Sequence, residues 1–231
     1  MKLLNSDFSQ RAIVTPRDYQ WTFSPQSGVE RVMFDRIGDE QARATSLVRY
    51  APGSEFPRHG HPGGEEILVL SGTFTENGTD YPAGWYLRSP EGSSHQPSSS
   101  EGATIFVKLR QMAAEESQFV RINTNDRKNW HGHPQRRTCP LYASARESVT
   151  LQNLIAGERL FCAPLQGGAE LFILEGELTA PEGRYEKGSW LRLPPGEMPA
   201  LMASATGVKF YLKTGHLSPA MLTGVKPFTR G

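Results

Sequence analysis

The chain repeats itself at a fixed offset, and this limits its architecture more than any other feature. Gly53, Gly72, Tyr81, Gly84, Pro90 and Gly92 recur as Gly157, Gly176, Tyr185, Gly188, Pro194 and Gly196, each 104 residues further on. Inside the repeat, Glu66-Ile67-Leu68-Val69-Leu70-Ser71-Gly72 matches Glu170-Leu171-Phe172-Ile173-Leu174-Glu175-Gly176. Leu87-Arg88-Ser89-Pro90 matches Leu191-Arg192-Leu193-Pro194, and after one inserted residue Ile105-Phe106-Val107-Lys108 matches Phe210-Tyr211-Leu212-Lys213. Chance produces single matches, not register held over roughly fifty residues. The sequence is a tandem duplication, read as one domain over residues 1–115 and a second over residues 116–231, with the join near residues 113–130 and a polar, basic stretch from Arg127 to Arg137, as a connecting segment would be.

The repeated unit is β-structured. Turn residues, with Gly 23 and Pro 17 in total, fall at short intervals: Pro52-Gly53, Pro62-Gly63-Gly64, Asn77-Gly78, Pro90-Glu91-Gly92. Between them lie short β-prone runs such as Ser46–Tyr50, Ile67–Leu70, Trp85–Leu87 and Thr104–Leu109. That spacing predicts an all-β sandwich or barrel. No long stretch has a 3.6-residue period; Ala113–Gln118 suits one or two helical turns.

Charge and composition exclude several classes. Twenty-five basic residues against 24 acidic leave a formal net charge of +1, so no global field draws in nucleic acid or a membrane surface. No stretch approaches the ~18 apolar residues of a span, and Met1 to Gln10 does not read as a secretory leader. A cytoplasmic protein is expected. Cys139 and Cys162 stand far apart and outside any CxxC spacing, and they read as small buried residues.

The chemistry concentrates in repeat one. His59 and His61 are two apart, and alternate residues of a strand share a face. Pro62-Gly63-Gly64 turns the chain, Glu65 opens the next strand, and His95 follows the Pro90-Glu91-Gly92 turn. Three imidazoles and one carboxylate suit one divalent ion per chain, zinc or iron first, with manganese, nickel or copper also fitting. A metal of coordination five or six would keep open positions beside four protein ligands. Glu66 is the alternative carboxylate under a one-residue shift, but alternation sends it to the opposite face, and its counterpart Glu170 survives in repeat two.

These residues carry a resemblance. Gly53-x5-His59-x-His61-x3-Glu65-x6-Gly72 fits the first cupin motif, and Gly84-x5-Pro90-x-Gly92-x2-His95 fits the second. The second motif usually continues to an Asn, where this chain has Ser99. The wider text, including Arg43-Ala44-Thr45, Gly63-Gly64-Glu65-Glu66 and Phe106-Val107-Lys108-Leu109, resembles the cupin domain of ChrR-type anti-sigma factors. The resemblance implies a jelly-roll barrel in each repeat and a metal in the first. It also implies a sigma factor as partner. Yet the segment before Arg43 looks too short for that family's zinc-binding anti-sigma domain and has no cysteine.

Repeat two has lost the constellation. Ala163, Leu165, Ala169 and Pro199 stand where His59, His61, Glu65 and His95 stand in repeat one, and none ligates a metal through its side chain. The second unit is read as a degenerate scaffold that packs or holds an apolar ligand.

Other residues carry weaker signals. His131 and His133 form a second His-x-His, read as a solvated loop. Arg127, Lys128, Arg136 and Arg137 with Trp130 make a local basic patch without a nucleic-acid-binding motif. His216 is placed at the surface. Tyr81, Trp85, Tyr86 and Arg88 are assigned to core packing before pocket lining. The open sheet edges of jelly rolls would suit a homodimer.

Two functions follow. One is a metal-holding regulatory or small-ligand-sensing protein, similar to the cupin part of ChrR-type anti-sigma factors. The other is a metal-dependent enzyme, such as a cupin dioxygenase acting on a small organic substrate.

Overall fold

The computed structural model describes residues 2–39 and 41–218; residues 219–231 of the expected second domain lie outside that range. The chain is all-β, made of antiparallel sheets. It divides into two compact units: residues 2–6 with 19–127, and residues 7–18 with 128–218. No helix among the described residues is long and apolar enough to cross a membrane. Ala113–Gln118 forms a turn, not a helix, with the Glu116 amide donating to the Ala113 carbonyl.

In the first unit the main sheet runs Leu3–Leu4, Val29–Ile37, Arg43–Tyr50, Ala103–Leu109, Glu65–Glu76, Trp85–Ser89, Val120–Asn123. In the second it runs His131–His133, Arg136–Ala143, Ser148–Leu154, Met202–Thr214, Ala169–Ala180, Trp190–Leu193, Ala12–Val14. Strand alternation sorts the residues by face. Val29, Tyr50, Ile67, Val69, Leu87, Ile105 and Val107 build the apolar interior of the first barrel. Glu66 points the other way, facing Arg88 across the ladder, with Arg88 Nη1 donating to its Oε2 at 2.9 Å. Arg88 Nη2 also donates to Glu116 at 2.7 Å, so this charge is buried fully paired.

The repeat survives in the backbone. Gly53 and Gly157 have φ of 75° and 76°, and Gly84 and Gly188 have 92° and 91°. At Gly72 the need for glycine is twofold: φ is 66°, and a Cβ would lie 1.9 Å from the Gly102 carbonyl oxygen.

One topological feature separates the spatial units from the contiguous halves. The strand Val120–Asn123 covers the edge of Trp85–Ser89, and Ala12–Val14 covers the edge of Trp190–Leu193. Each barrel is thus closed by a short strand belonging, by sequence, to the start of the other repeat. A split at 115/116 describes the duplication; closing these open edges moves residues 7–18 and 116–127 across it in space.

Several sequence expectations change. His216 is buried, with Nε2 3.2 Å from Glu170 Oε2, and does not lie at the surface. Cys139 is buried, but Cys162 is exposed. His131 and His133 are exposed, on a strand paired with Arg136–Ala143 instead of in a loop. Core packing of Tyr81, Trp85, Tyr86 and Arg88 is as expected: the first two pack against the first core, and the last two are buried completely.

Candidate metal centre

Three strands and the turn between two of them bring the site together. The two-residue strands His59–Gly60 and Ser94–His95 pair antiparallel, which sets His59 directly opposite His95. His61 lies two residues past His59, and its ring returns to the same side. The backbone then turns at Gly63 and Gly64, both with left-handed φ, and Glu65 begins the long Glu65–Glu76 strand. Ring centroids are 4.3 Å apart for His61 and His95, 4.9 Å for His59 and His95, and 5.0 Å for His59 and His61.

Candidate ligand atoms of the three histidines lie within 4.8 Å of one another. Glu65 Oε2 is 3.5 Å from both His61 Nε2 and His95 Nε2. These separations match donors sharing one ion at about 2.0–2.2 Å from each. The second ring nitrogens are occupied: His59 Nδ1 faces the Pro57 carbonyl at 2.9 Å, and His95 Nδ1 faces Glu76 Oε1 at 2.9 Å. Both bonds aim Nε2 inward. His61 Nε2 is buried with no hydrogen-bond partner. An orphaned buried nitrogen beside two other imidazoles and a carboxylate makes a donor set that suits a cation, so the residues fit a metal.

The electrostatics agree. Burial, then the neighbouring His95 and His59, hold the His61 pKa down to about 3, which keeps the ring neutral. Burial lowers that of His59 too. Burial pushes the Glu65 carboxyl up to about 7. At Glu76 burial also pushes upward, but its hydrogen bond to His95 and the nearby Arg121 outweigh it, leaving the carboxyl below its ordinary range.

Glu76 and Arg121 were not singled out from the sequence. Arg121 Nη2 donates to Glu76 Oε2 at 2.7 Å and to Ser89 Oγ at 2.9 Å. The resulting relay, Arg121 to Glu76 to His95, fixes the tautomer and aim of one ring. The duplication carried the signal. At the same offset Glu76 becomes Ala180, and opposite Leu191, where the first unit sets Arg121 against Leu87, the second sets Ile13. The relay and the candidate ligands are absent together. In the second barrel Leu165 and Ala169, at the places of His61 and Glu65, join a cluster with Leu160, Leu171 and Leu201. Pro199, in place of His95, lies outside any strand.

The histidines open onto a cavity of about 530 Å³ in the first unit. Its walls are largely apolar, with Val29, Val48, Tyr50, Phe56, Ile105 and Val107 among them. Tyr81, Trp85, Tyr86 and Arg88 are not among the lining residues.

Solved structures share this fold over most of the chain. A candidate dioxygenase from Nostoc punctiforme PCC 73102 superposes with a TM-score of 0.73 at 14% identity, covering 92% of this chain and 86% of its own. A candidate glyoxylate-induced protein from Pseudomonas aeruginosa gives 0.69 at 14% identity, covering 93% and 91%. The Escherichia coli pirin YhhW, solved in complex with nickel(II), gives 0.63 at 11% identity, covering 89% and 98%. The chain has the fold of a bicupin. The family model of the ChrR cupin-like domain matches residues 9–113 of the bicupin. No curated protein matches it in sequence.

Proposed function

We propose that the bicupin is a metal-dependent enzyme acting on a small organic molecule, with His59, His61, Glu65 and His95 holding one divalent ion. The observation that carries this reading is the placement of the donor set on the wall of a cavity of about 530 Å³. A purely structural metal site is closed by its ligands, whereas a working one faces space that a substrate can occupy. When bound, the ion would supply Lewis acidity or, if iron, oxygen chemistry. The chain's own residues hold and orient. Glu76 fixes the His95 ring, Pro57 fixes His59, and the apolar walls exclude water around the reacting centre. The candidate dioxygenase among the similar structures fits an oxygenase in kind.

Elemental analysis of untagged protein purified without added metal tests this, with His59→Ala as control. About one equivalent of metal in the wild type and a large loss in the variant are expected. Equal metal content in both removes the reading. Oxygen uptake by the iron-loaded protein on small organic substrates tests the class of chemistry.

A second reading, a metal-holding sensor, draws on the match of residues 9–113 to the ChrR cupin-like domain. Reproducible co-purification of a sigma factor, with no turnover of any small molecule, would favour it.

A further inference from the structure

Among the described residues, the cavity wall carries one cation, Arg31, with no side-chain partner. Arg31 lies on the Val29–Ile37 strand, two residues from Val29, and both side chains line the cavity. Its Nε is buried without a hydrogen-bond partner, and its side chain makes no ion pair among the described residues. The other guanidinium on the wall, Arg110, is already engaged, with Nη1 donating to the Gln41 carbonyl at 2.8 Å. A guanidinium stays charged at any working pH, and a buried donor without an acceptor costs stability. Proteins keep such a group where a ligand completes it.

The second barrel again serves as comparison. Arg31 stands opposite Val48, and the residue 104 positions after Val48, Gln152, stands opposite Thr138. The barrel therefore does not need an arginine at this register. In the second barrel the arginine two residues away, Arg136, is already engaged, with Nη1 donating to the Leu160 carbonyl at 3.1 Å.

We infer that Arg31 binds the carboxylate of the cavity's ligand, so that the molecule acted on is a small organic acid with an apolar body. This rests on the reading of His59, His61, Glu65 and His95 as a metal centre within the same cavity. The fork of a guanidinium matches one carboxylate in shape and charge. A single free cation does not match the two charges of a phosphate monoester. The remaining wall, Val29, Val48, Phe56, Ile105 and Val107, suits an aliphatic or aromatic body.

The test uses the full chain loaded with zinc, with fluorine NMR of 4-fluorobenzoate, its neutral analogue 4-fluorobenzamide, and 4-fluorophenyl phosphate. The acid should bind about tenfold more tightly than the amide, and more tightly than the phosphate. Arg31→Thr installs the residue the second barrel carries, and it should remove the preference while keeping wild-type metal content and melting behaviour. Arg31→Lys should keep part of the preference. In His59→Ala, freed of metal, the preference should persist, because Arg31 and not the ion supplies it. If the preference survives Arg31→Thr but vanishes in His59→Ala, the carboxylate sits on the metal; the inference then fails while the metal centre stands. If His59→Ala holds metal like the wild type, the metal centre fails, and the Arg31 dependence is judged by itself. Equal binding of acid and amide, saturable binding of neither, or stronger Arg31-dependent binding of the phosphate overturns the assignment.

Discussion

At the residue scale, the centre depends on charge states as much as on positions. Glu65 is buried beside three imidazoles, and in the metal-free protein its carboxyl titrates near 7. An ion needs the carboxylate, so below that pH it must displace a proton, and above it no proton stands in the way. Affinity should therefore fall as pH drops below about 7, approaching tenfold per unit for one displaced proton. Competition with a chromophoric chelator between about pH 6 and 8 measures this, and a flat profile would place Glu65 outside the ligand set. His61 does not oppose the trend, because its ring, held down to about 3, is neutral throughout that window. Glu76 acts one bond further out. Glu76→Ala, the residue at Ala180 in the second repeat, should weaken metal binding about 10- to 100-fold through loss of the His95 orientation. Its thermal melting without metal should change far less than its metal affinity. The clustering of His59, His61, Glu65 and His95 was legible in the sequence because spacing puts them on turns and strand starts. Glu76 and Arg121 were not read, because a single Glu at a strand end and a single Arg on a short strand have no local pattern. Only comparison with Ala180 and Ile13 gives them meaning.

At the element scale, the strands follow from alternation and glycine. Ile67, Val69, Leu171 and Ile173 face the interiors, while Glu66 and Glu170 face away, as the period of two dictates. Glycine positions separate strain from collision. Gly72→Ala would place a methyl 1.9 Å from a carbonyl oxygen at a left-handed φ, whereas Gly53→Ala meets nothing within 4 Å at a similar φ. Gly53→Ala should cost about 1 kcal/mol and Gly72→Ala about 2 kcal/mol or more, as read from urea denaturation midpoints; equal costs would mean the close approach is not tight. The turn at Ala113–Gln118 shows where local reading ran out. Its Ala, Glu and Gln favour a helix, but Glu116 is drawn off to pair with the buried Arg88, a tertiary demand no propensity reports. His216 shows the same limit. A polar residue after the last core strand looks external until the buried Glu170 claims it.

At the scale of the whole molecule, the duplication produced two barrels with different burdens. One holds a polar cluster at its mouth; the other fills the same place with Leu165, Ala169 and Leu201. Ligand binding stabilises only the state that binds, by about 4 kcal/mol when free metal is a thousandfold above its dissociation constant. Calorimetry with and without chelator should therefore show one unfolding transition moving and another standing still. If both move together, the two units unfold as one and the division in stability is wrong. The existence of two units was plain in the repeat. Their exchanged edge strands were not, because Ala12–Val14 and Val120–Asn123 are too short and too plain in composition to reveal which edge they cover.

That exchange also sets an order in time. Arg121 lies only 45 residues beyond Glu76, so the first barrel and its relay are complete soon after that strand leaves the ribosome. In the second unit, Arg192 Nη2 donates to the Asp7 carbonyl, and these groups lie 185 residues apart. At roughly 5–20 residues per second, the amino-terminal strand waits on the order of ten to forty seconds for the edge it will cover. The candidate metal centre can therefore assemble while its sister barrel is still being synthesised. The waiting strand, not the site, is the segment that a nascent-chain chaperone would have to guard.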